Sequence, residues 1–167
     1  YGLDNITRGA LFIAAGDYYL KQTLCVKNPR LVLAGSGFGT RLIIDPSVGS
    51  NGFSILKIPE ENLDVEKVIV CNIFFDGNER NITGTYTEAG GAPLHVGILV
   101  APGGATAKEI LVKNCFFYDF AREGIWAIPQ SDCYIEKLVV SMCFFAGNGY
   151  HIGSDVTNGD IKKVIIS

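Results

Sequence analysis

Both histidines, the single tryptophan, an arginine and several carboxylates fall on or beside short glycine-led segments of this chain. The segments are Val96-Gly97-Ile98-Leu99-Val100, Glu123-Gly124-Ile125-Trp126-Ala127-Ile128 and Asn148-Gly149-Tyr150-His151-Ile152-Gly153, aligned on their glycines. Phe53-Ser54-Ile55-Leu56 is an earlier equivalent. Side chains on a strand alternate between two faces. With Ile98, Val100, Ile125, Ala127, Tyr150 and Ile152 inward, Leu99, Trp126 and His151 form an outward row, which His95 and Arg122 join. An exposed tryptophan offers a flat apolar face to a sugar ring, and arginine pairs with carboxylates such as those of acidic sugars. Asp119 and Glu123 precede one of these segments, and Asp132 and Asp155 follow two of them.

Glycoside hydrolysis needs two carboxyls about 5 to 9.5 Å apart, according to stereochemistry. Strands spaced about 4.8 Å apart bring Glu123 within that range of an acid on a neighbouring strand. Eliminative cleavage needs a base and a group that neutralises a uronate, roles open to His151 and Arg122. The catalytic candidates are therefore Glu123, His151, Arg122 and Asp119, and the substrate-binding candidates are Trp126, His95, Asp155 and Asp132. No acidic cluster suits calcium, and no cofactor or metal is implied. A bulge that shifts the alternation would instead bury Trp126 in the core, and scattered solvated acids are the alternative for the carboxylates.

What positions these residues is a repeat. Glu66-Lys67-Val68-Ile69-Val70-Cys71-Asn72-Ile73-Phe74-Phe75 returns as Lys108-Glu109-Ile110-Leu111-Val112-Lys113-Asn114-Cys115-Phe116-Phe117. It returns again as Glu136-Lys137-Leu138-Val139-Val140-Ser141-Met142-Cys143-Phe144-Phe145, and Lys162 to Ser167 begins a fourth copy. Self-similarity at such a period predicts a solenoid in which each repeat buries its apolar face on its neighbours. Richness in Val, Ile and Phe between Gly, Asn, Asp and Pro predicts strands, and no helical periodicity competes. Lys67, Glu109, Lys137 and Lys163 then face solvent, while Val68, Ile110, Leu138 and Val164, and Val70, Val112, Val140 and Ile166, face in. Phe75, Phe117 and Phe145 stack inside.

The pattern V-x-V-x-N-C-x-F … G-x-G-I-x-I resembles the repeat of right-handed parallel β-helices of the pectate-lyase/polygalacturonase superfamily, which also contains many phage tailspikes. Leu11 to Leu20, with Gly16-Asp17-Tyr18, and Leu31 to Thr40, with Leu33-Ala34-Gly35-Ser36-Gly37, are similar to that superfamily's first coils. The resemblance covers residues 10 to 167 and implies an all-β, single-stranded right-handed parallel β-helix of about six coils. It implies a polysaccharide hydrolase or lyase, including a tailspike depolymerase, whose long loops wall the substrate cleft. Polygalacturonases carry Gly-Asp-Asp and Gly-His-Gly before these strands. Here the matching places read Arg122-Glu123-Gly124 and Gly147-Asn148-Gly149, which departs from that activity.

At 167 residues and 48% hydrophobic content, the chain suits one domain, with residues 1–10 leading into or capping the first coil. It begins without methionine and ends within a strand, as a piece of a longer protein would. A net charge of −3 argues against a nucleic-acid partner, and no lysine-arginine run or long apolar run suggests a membrane. Five cysteines fit no metal spacing; Cys115 and Cys143 fall at one repeat position, as buried small hydrophobes or as a disulfide pair. Gly35 to Thr40 reads as a glycine-rich β-turn. The stretch 76–94 is a long loop overhanging the glycine-led strands, a cleft wall or a surface insertion.

Outward rows of Phe74, Phe116 and Phe144, and of Ile69, Leu111, Val139 and Ile165, are too apolar for a free surface and suggest an interface such as that of a homotrimer. Alternatively the Phe pair straddles a bend and both rings are buried. Three functions stay open: a polysaccharide-processing β-helix, extracellular or virion-associated; a non-catalytic structural β-helix of a virion fibre or adhesin; and a glycan-binding module.

Overall fold

In the computed structural model, the residues described are 9–49, 52–59, 62–82, 95–129, 132–154 and 159–167. The strands are β1 (Gly9–Phe12), β2 (Gly16–Leu20), β3 (Leu24–Cys25), β4 (Arg30–Ile44) and β5 (Ser54–Ile58). They continue as β6 (Lys67–Asp76), β7 (Val96–Val100), β8 (Thr106–Lys113), β9 (Phe116–Tyr118) and β10 (Glu123–Ala127). The last are β11 (Tyr134–Ser141), β12 (Phe144–Ala146), β13 (Tyr150–Ser154), β14 (Asp160–Ile161) and β15 (Val164–Ile166). Two short 3-10 turns, Pro46–Val48 and Glu79–Asn81, are the helical elements among the described residues.

The strands form two sheets, and their pairings are parallel. One runs β1-β4-β6-β8-β11-β14, with β2, β9, β12 and β15 alongside. The other runs β13-β10-β7-β5-β3. From β5 onward the chain alternates between the sheets, one visit to each per sequence repeat. The register pairs the residues that the repeats align: Val68 with Ile110, Ile110 with Leu138, and Leu138 with Val164. A register slip of one residue would expose every inward side chain, so burial fixes the alignment.

Val68, Val70, Ile110, Val112, Leu138 and Val140 are buried and join Ile98, Val100, Ile125 and Ala127 of the other sheet in one core. Phe75, Phe117 and Phe145 stack inside at 5.0 and 4.9 Å between ring centroids. The expected parity therefore holds through the central repeats. It does not bury Val164 and Ile166, which are 47% and 66% exposed because β15 pairs with β11 alone. Outside, Glu109 lies 2.6 Å from both Lys67 and Lys137, which hold its carboxyl down at about 2.

The expected turn from Gly35 to Thr40 is a bulge within β4. Ala34, Gly37 and Arg41 stand opposite Cys71, Ile73 and Phe74, so seven steps of β4 match three of β6. Two glycines make the bulge possible. A Cβ on Gly35 would meet the Asn72 carbonyl at 2.6 Å, and Gly37 has φ +73°. The bulge carries Phe38 out onto the surface, 71% exposed, beside Phe74 and Phe116. There the outward row of Phe74, Phe116 and Phe144 stacks at 4.6 and 4.9 Å. The row Ile69, Leu111, Val139 and Ile165 is half-buried. Cys115 and Cys143, at one repeat position, are separate thiols and not a disulfide pair.

Asn72 and Asn114 both adopt the left-handed conformation at the corner after the long strand, and Asn114 Nδ2 donates to Asn72 Oδ1 at 3.3 Å. The next repeat places Met142 there, also left-handed (φ +51°) and 71% exposed. Asparagine tolerates this conformation better than methionine. Met142→Asn should therefore extend the amide ladder and add about 1 kcal/mol of stability, a gain of about 2–4 °C in a thermal melt.

Candidate functional site

The glycine-led strands β7, β10 and β13 lie side by side. Ile98 pairs with Ile125 as expected, whereas Ile125 pairs with Ile152 and not with Tyr150. The third glycine is not in register with the other two, however. Glu123 stands beside Tyr150 and Trp126 beside Gly153, which brings His151 alongside Gly124. The physical reason is the phenylalanine stack. A Cβ on Gly97 or Gly124 would lie 2.8 Å from the Phe117 or Phe145 ring, so those two positions must be bare. His151 follows in that column at the outermost strand, its ring 5.6 Å from Phe145 and exposed to solvent. It does not share a row with Trp126. Tyr150, expected inside, is 66% exposed because nothing among the described residues covers β13 beyond β10.

Trp126 is not an exposed platform. It is 6% exposed, and the Arg122 guanidinium lies 4.0 Å over its ring, where a sugar would have stacked. A guanidinium over an indole face is a favourable cation–π pair. Arg122 thus forms the outer surface of this point, while its backbone N–H donates to the His95 carbonyl at 3.3 Å.

Glu123 is buried, at 5% exposure. Its Cγ and Oε1 occupy the space that a Cβ on Gly153 would fill, 2.8 Å away. Arg122 Nε lies 3.2 Å from Oε2 as an ion pair rather than a well-aligned hydrogen bond. Burial pushes the Glu123 carboxyl above its ordinary range, and the Arg122 charge only partly opposes it. A carboxyl kept protonated by a dry environment is how a fold produces a general acid near neutrality.

His95 was expected on the outer face and is instead fully buried. The cause is Glu79, in the 3-10 turn that starts the stretch 76–94; its Oε2 lies 3.1 Å from His95 Nδ1. Burial raises the Glu79 carboxyl, His95 lowers it, the Asp119 charge raises it, and a hydrogen bond from the Ala121 backbone lowers it. Glu79 Oε1 is buried without a hydrogen-bond partner.

Asp119 has left-handed backbone (φ +57°), and its carboxylate accepts from Arg80 Nη1 at 2.7 Å. It belongs to a strip of alternating charges. Arg41 bridges Asp17 at 3.1 Å and Asp76 at 2.8 Å, and Arg80 bridges Asp76 at 3.5 Å and Asp119. Asp119 is thus occupied in holding the turn to the sheet. Asp132 sits exposed in a left-handed turn, outside the strands that carry the other candidates. Asp155 and most of the loop, residues 83–94, lie outside the described residues.

The fold therefore gathers Glu123, Arg122, Trp126 and His95, sets His151 on the adjoining strand beside Gly124 and out of Trp126's row, and leaves Asp132 outside these strands. Glu79 and Arg80 were not among the expected site residues. Their one signal in the sequence was position, directly after the turn at the end of a repeat. No group of three or more metal-ligating side chains occurs among the described residues, and no helix there is long and apolar enough to cross a membrane. No family model, no curated protein and no solved structure matches the chain.

Proposed function

We propose that the two parallel sheets are faces of a right-handed parallel β-helix of the pectate-lyase/polygalacturonase type, and that the protein cleaves a polysaccharide outside the cell or on a virion. Right-handed crossover is the rule for parallel strands joined within a sheet, and the in-register repeats support a solenoid. The observation that carries the function is Glu123: a buried carboxyl, raised by burial against the opposing Arg122 charge 3.2 Å from its Oε2. A structural carboxylate in such a position would be costly. A carboxyl raised by burial suits a general acid.

In this reading Glu123 gives its proton to the glycosidic oxygen as the bond to the anomeric carbon breaks. Arg122 is 31% exposed at its side chain and released from ion pairing once Glu123 is protonated, so it favours an acidic sugar. The Arg122–Trp126 stack replaces the bare tryptophan as the binding surface.

The exposed stack of Phe38, Phe74, Phe116 and Phe144 favours a second reading, a structural fibre that trimerises through this face. One experiment separates the two. Incubated with a panel of acidic and neutral polysaccharides, the protein is expected to release reducing ends or unsaturated uronates, most readily from the acidic members. Silence across the panel together with a stable trimer in sedimentation would sink the catalytic reading and leave the fibre.

A further inference from the structure

We propose that a groove on the outer face of the long-strand sheet, lined by Arg30, Lys67 and Lys108, binds a carboxylated sugar. The choice of a sugar rests on reading the protein as one that acts on polysaccharide. The groove measures about 690 Å³, a size common for ligand sites. Its cations come from β4, β6 and β8, whereas Glu123 belongs to β10 of the other sheet. In a chain of net charge −3, the groove is positive. Its charged lining is Arg30, Lys67 and Lys108 against Glu66, three cations less one acid, or +2.

Strand register concentrates the charge. Arg30 stands directly opposite Lys67, and both are exposed. Like charges opposed on neighbouring strands repel. The nearby acids do not cancel them. Glu66 meets Arg30 at Nε, which leaves the terminal guanidinium nitrogens for another acceptor. Glu109 is shared between Lys67 and Lys137, 2.6 Å from each. The Lys108 side chain makes no ion pair or hydrogen bond among the described residues. An anion between Arg30 and Lys67 relieves their repulsion, and a carboxylate matches the planar donors of arginine. The floor is apolar: Val32 and Ile69 are neighbours in register, half-buried, and Gly9 at the rim has no side chain to cover them. A simple inorganic anion leaves that floor unused, and a neutral sugar leaves the cations unmatched. A sugar ring bearing a carboxylate uses both, with its C–H face on Val32 and Ile69. Lys108, on the next strand, is placed for the carboxylate of a second sugar.

The test is calorimetric titration of the full chain, carrying Glu123→Gln so that no cleavage adds heat. The ligands are a galacturonate hexamer and its methyl ester, which keeps the rings and removes the charge. The hexamer should bind and the ester should bind at least tenfold more weakly. Lys108→Glu should weaken hexamer binding about tenfold. Glu66→Gln, which removes the one acid of the lining, should tighten it about threefold. Both variants should melt like their parent, since Lys108 holds nothing in place and Glu66 forms only an exposed ion pair. Hexamer affinity unmoved by either substitution, or no hexamer binding at all, overturns this site and leaves the cleavage reading standing. Inorganic polyphosphate bound as tightly as the hexamer overturns the choice of a sugar. Binding that shifts as expected, in a protein whose wild type cleaves nothing, supports the site and overturns the cleavage reading alone.

Discussion

If the protein cleaves polysaccharide as proposed, Glu123→Gln is expected to abolish that cleavage and, at pH 7, to make the protein more stable. The glutamine keeps the shape that fills the space over Gly153 but carries no charge to desolvate. Leaving a buried charged oxygen without a donor costs about 1–3 kcal/mol, so the melting temperature should rise by a few degrees in a chain of this length. The pH dependence follows from the direction of the shift. The folded carboxyl titrates above its unfolded value, so between those two values the native state holds more protons than the unfolded state, and wild-type stability falls as pH rises through that window. Below the unfolded value, near 4.3, both states are protonated, and the melts of wild type and variant should converge. Loss of general-acid assistance is worth about 100- to 10,000-fold in kcat. Melts and rates measured from pH 4 to pH 8 read both effects. A variant that is less stable at every pH would mean that Arg122 fully compensates the Glu123 charge and that the carboxylate is structural.

Phe117→Ala should be the most damaging single truncation, costing about 3–5 kcal/mol. Phe117 is fully buried, lies between Phe75 and Phe145 at 5.0 and 4.9 Å, and packs where the side chains of Gly97 and Gly124 would otherwise be. Removing the ring opens a cavity that the neighbouring strands, tied by ladder hydrogen bonds on both sides, cannot close. Phe144→Ala on the outer row makes the contrast, because Phe144 is 58% exposed and its loss leaves no cavity. Urea unfolding should show a large fall in midpoint for Phe117→Ala and little change for Phe144→Ala. Comparable losses for the two would indicate that the outer stack is covered in solution, as the trimeric reading requires.

The central architecture was legible because it is written locally. Alternation of two marks the faces of each strand, and three near-copies of one segment fix which residues must stand side by side; Val68, Ile110, Leu138 and Val164 were aligned in sequence and are neighbours in register. The glycine columns were legible in part. Gly97 and Gly124 mark where the phenylalanine stack presses on the next sheet, but Gly149 misled, because that stack and not the glycine itself sets the register, and His151 takes the place.

What the sequence alone determined is the all-β class, the register of the long-strand repeats and the inward row of the central copies, since each follows from periodicity within a few residues of chain. The tertiary structure decided the site. Arg122 folds over Trp126 and covers the indole that was expected to be exposed, a choice between rotamers that parity cannot make. Glu79 meets His95 from 16 residues away, and Arg80 meets Asp119 from 39. Pairing across such distances depends on where a turn leaves its sheet, and a carboxyl's protonation depends on how much water the assembled strands exclude. Neither quantity has a local signature, so the chemistry of this chain emerges only when its repeats are stacked.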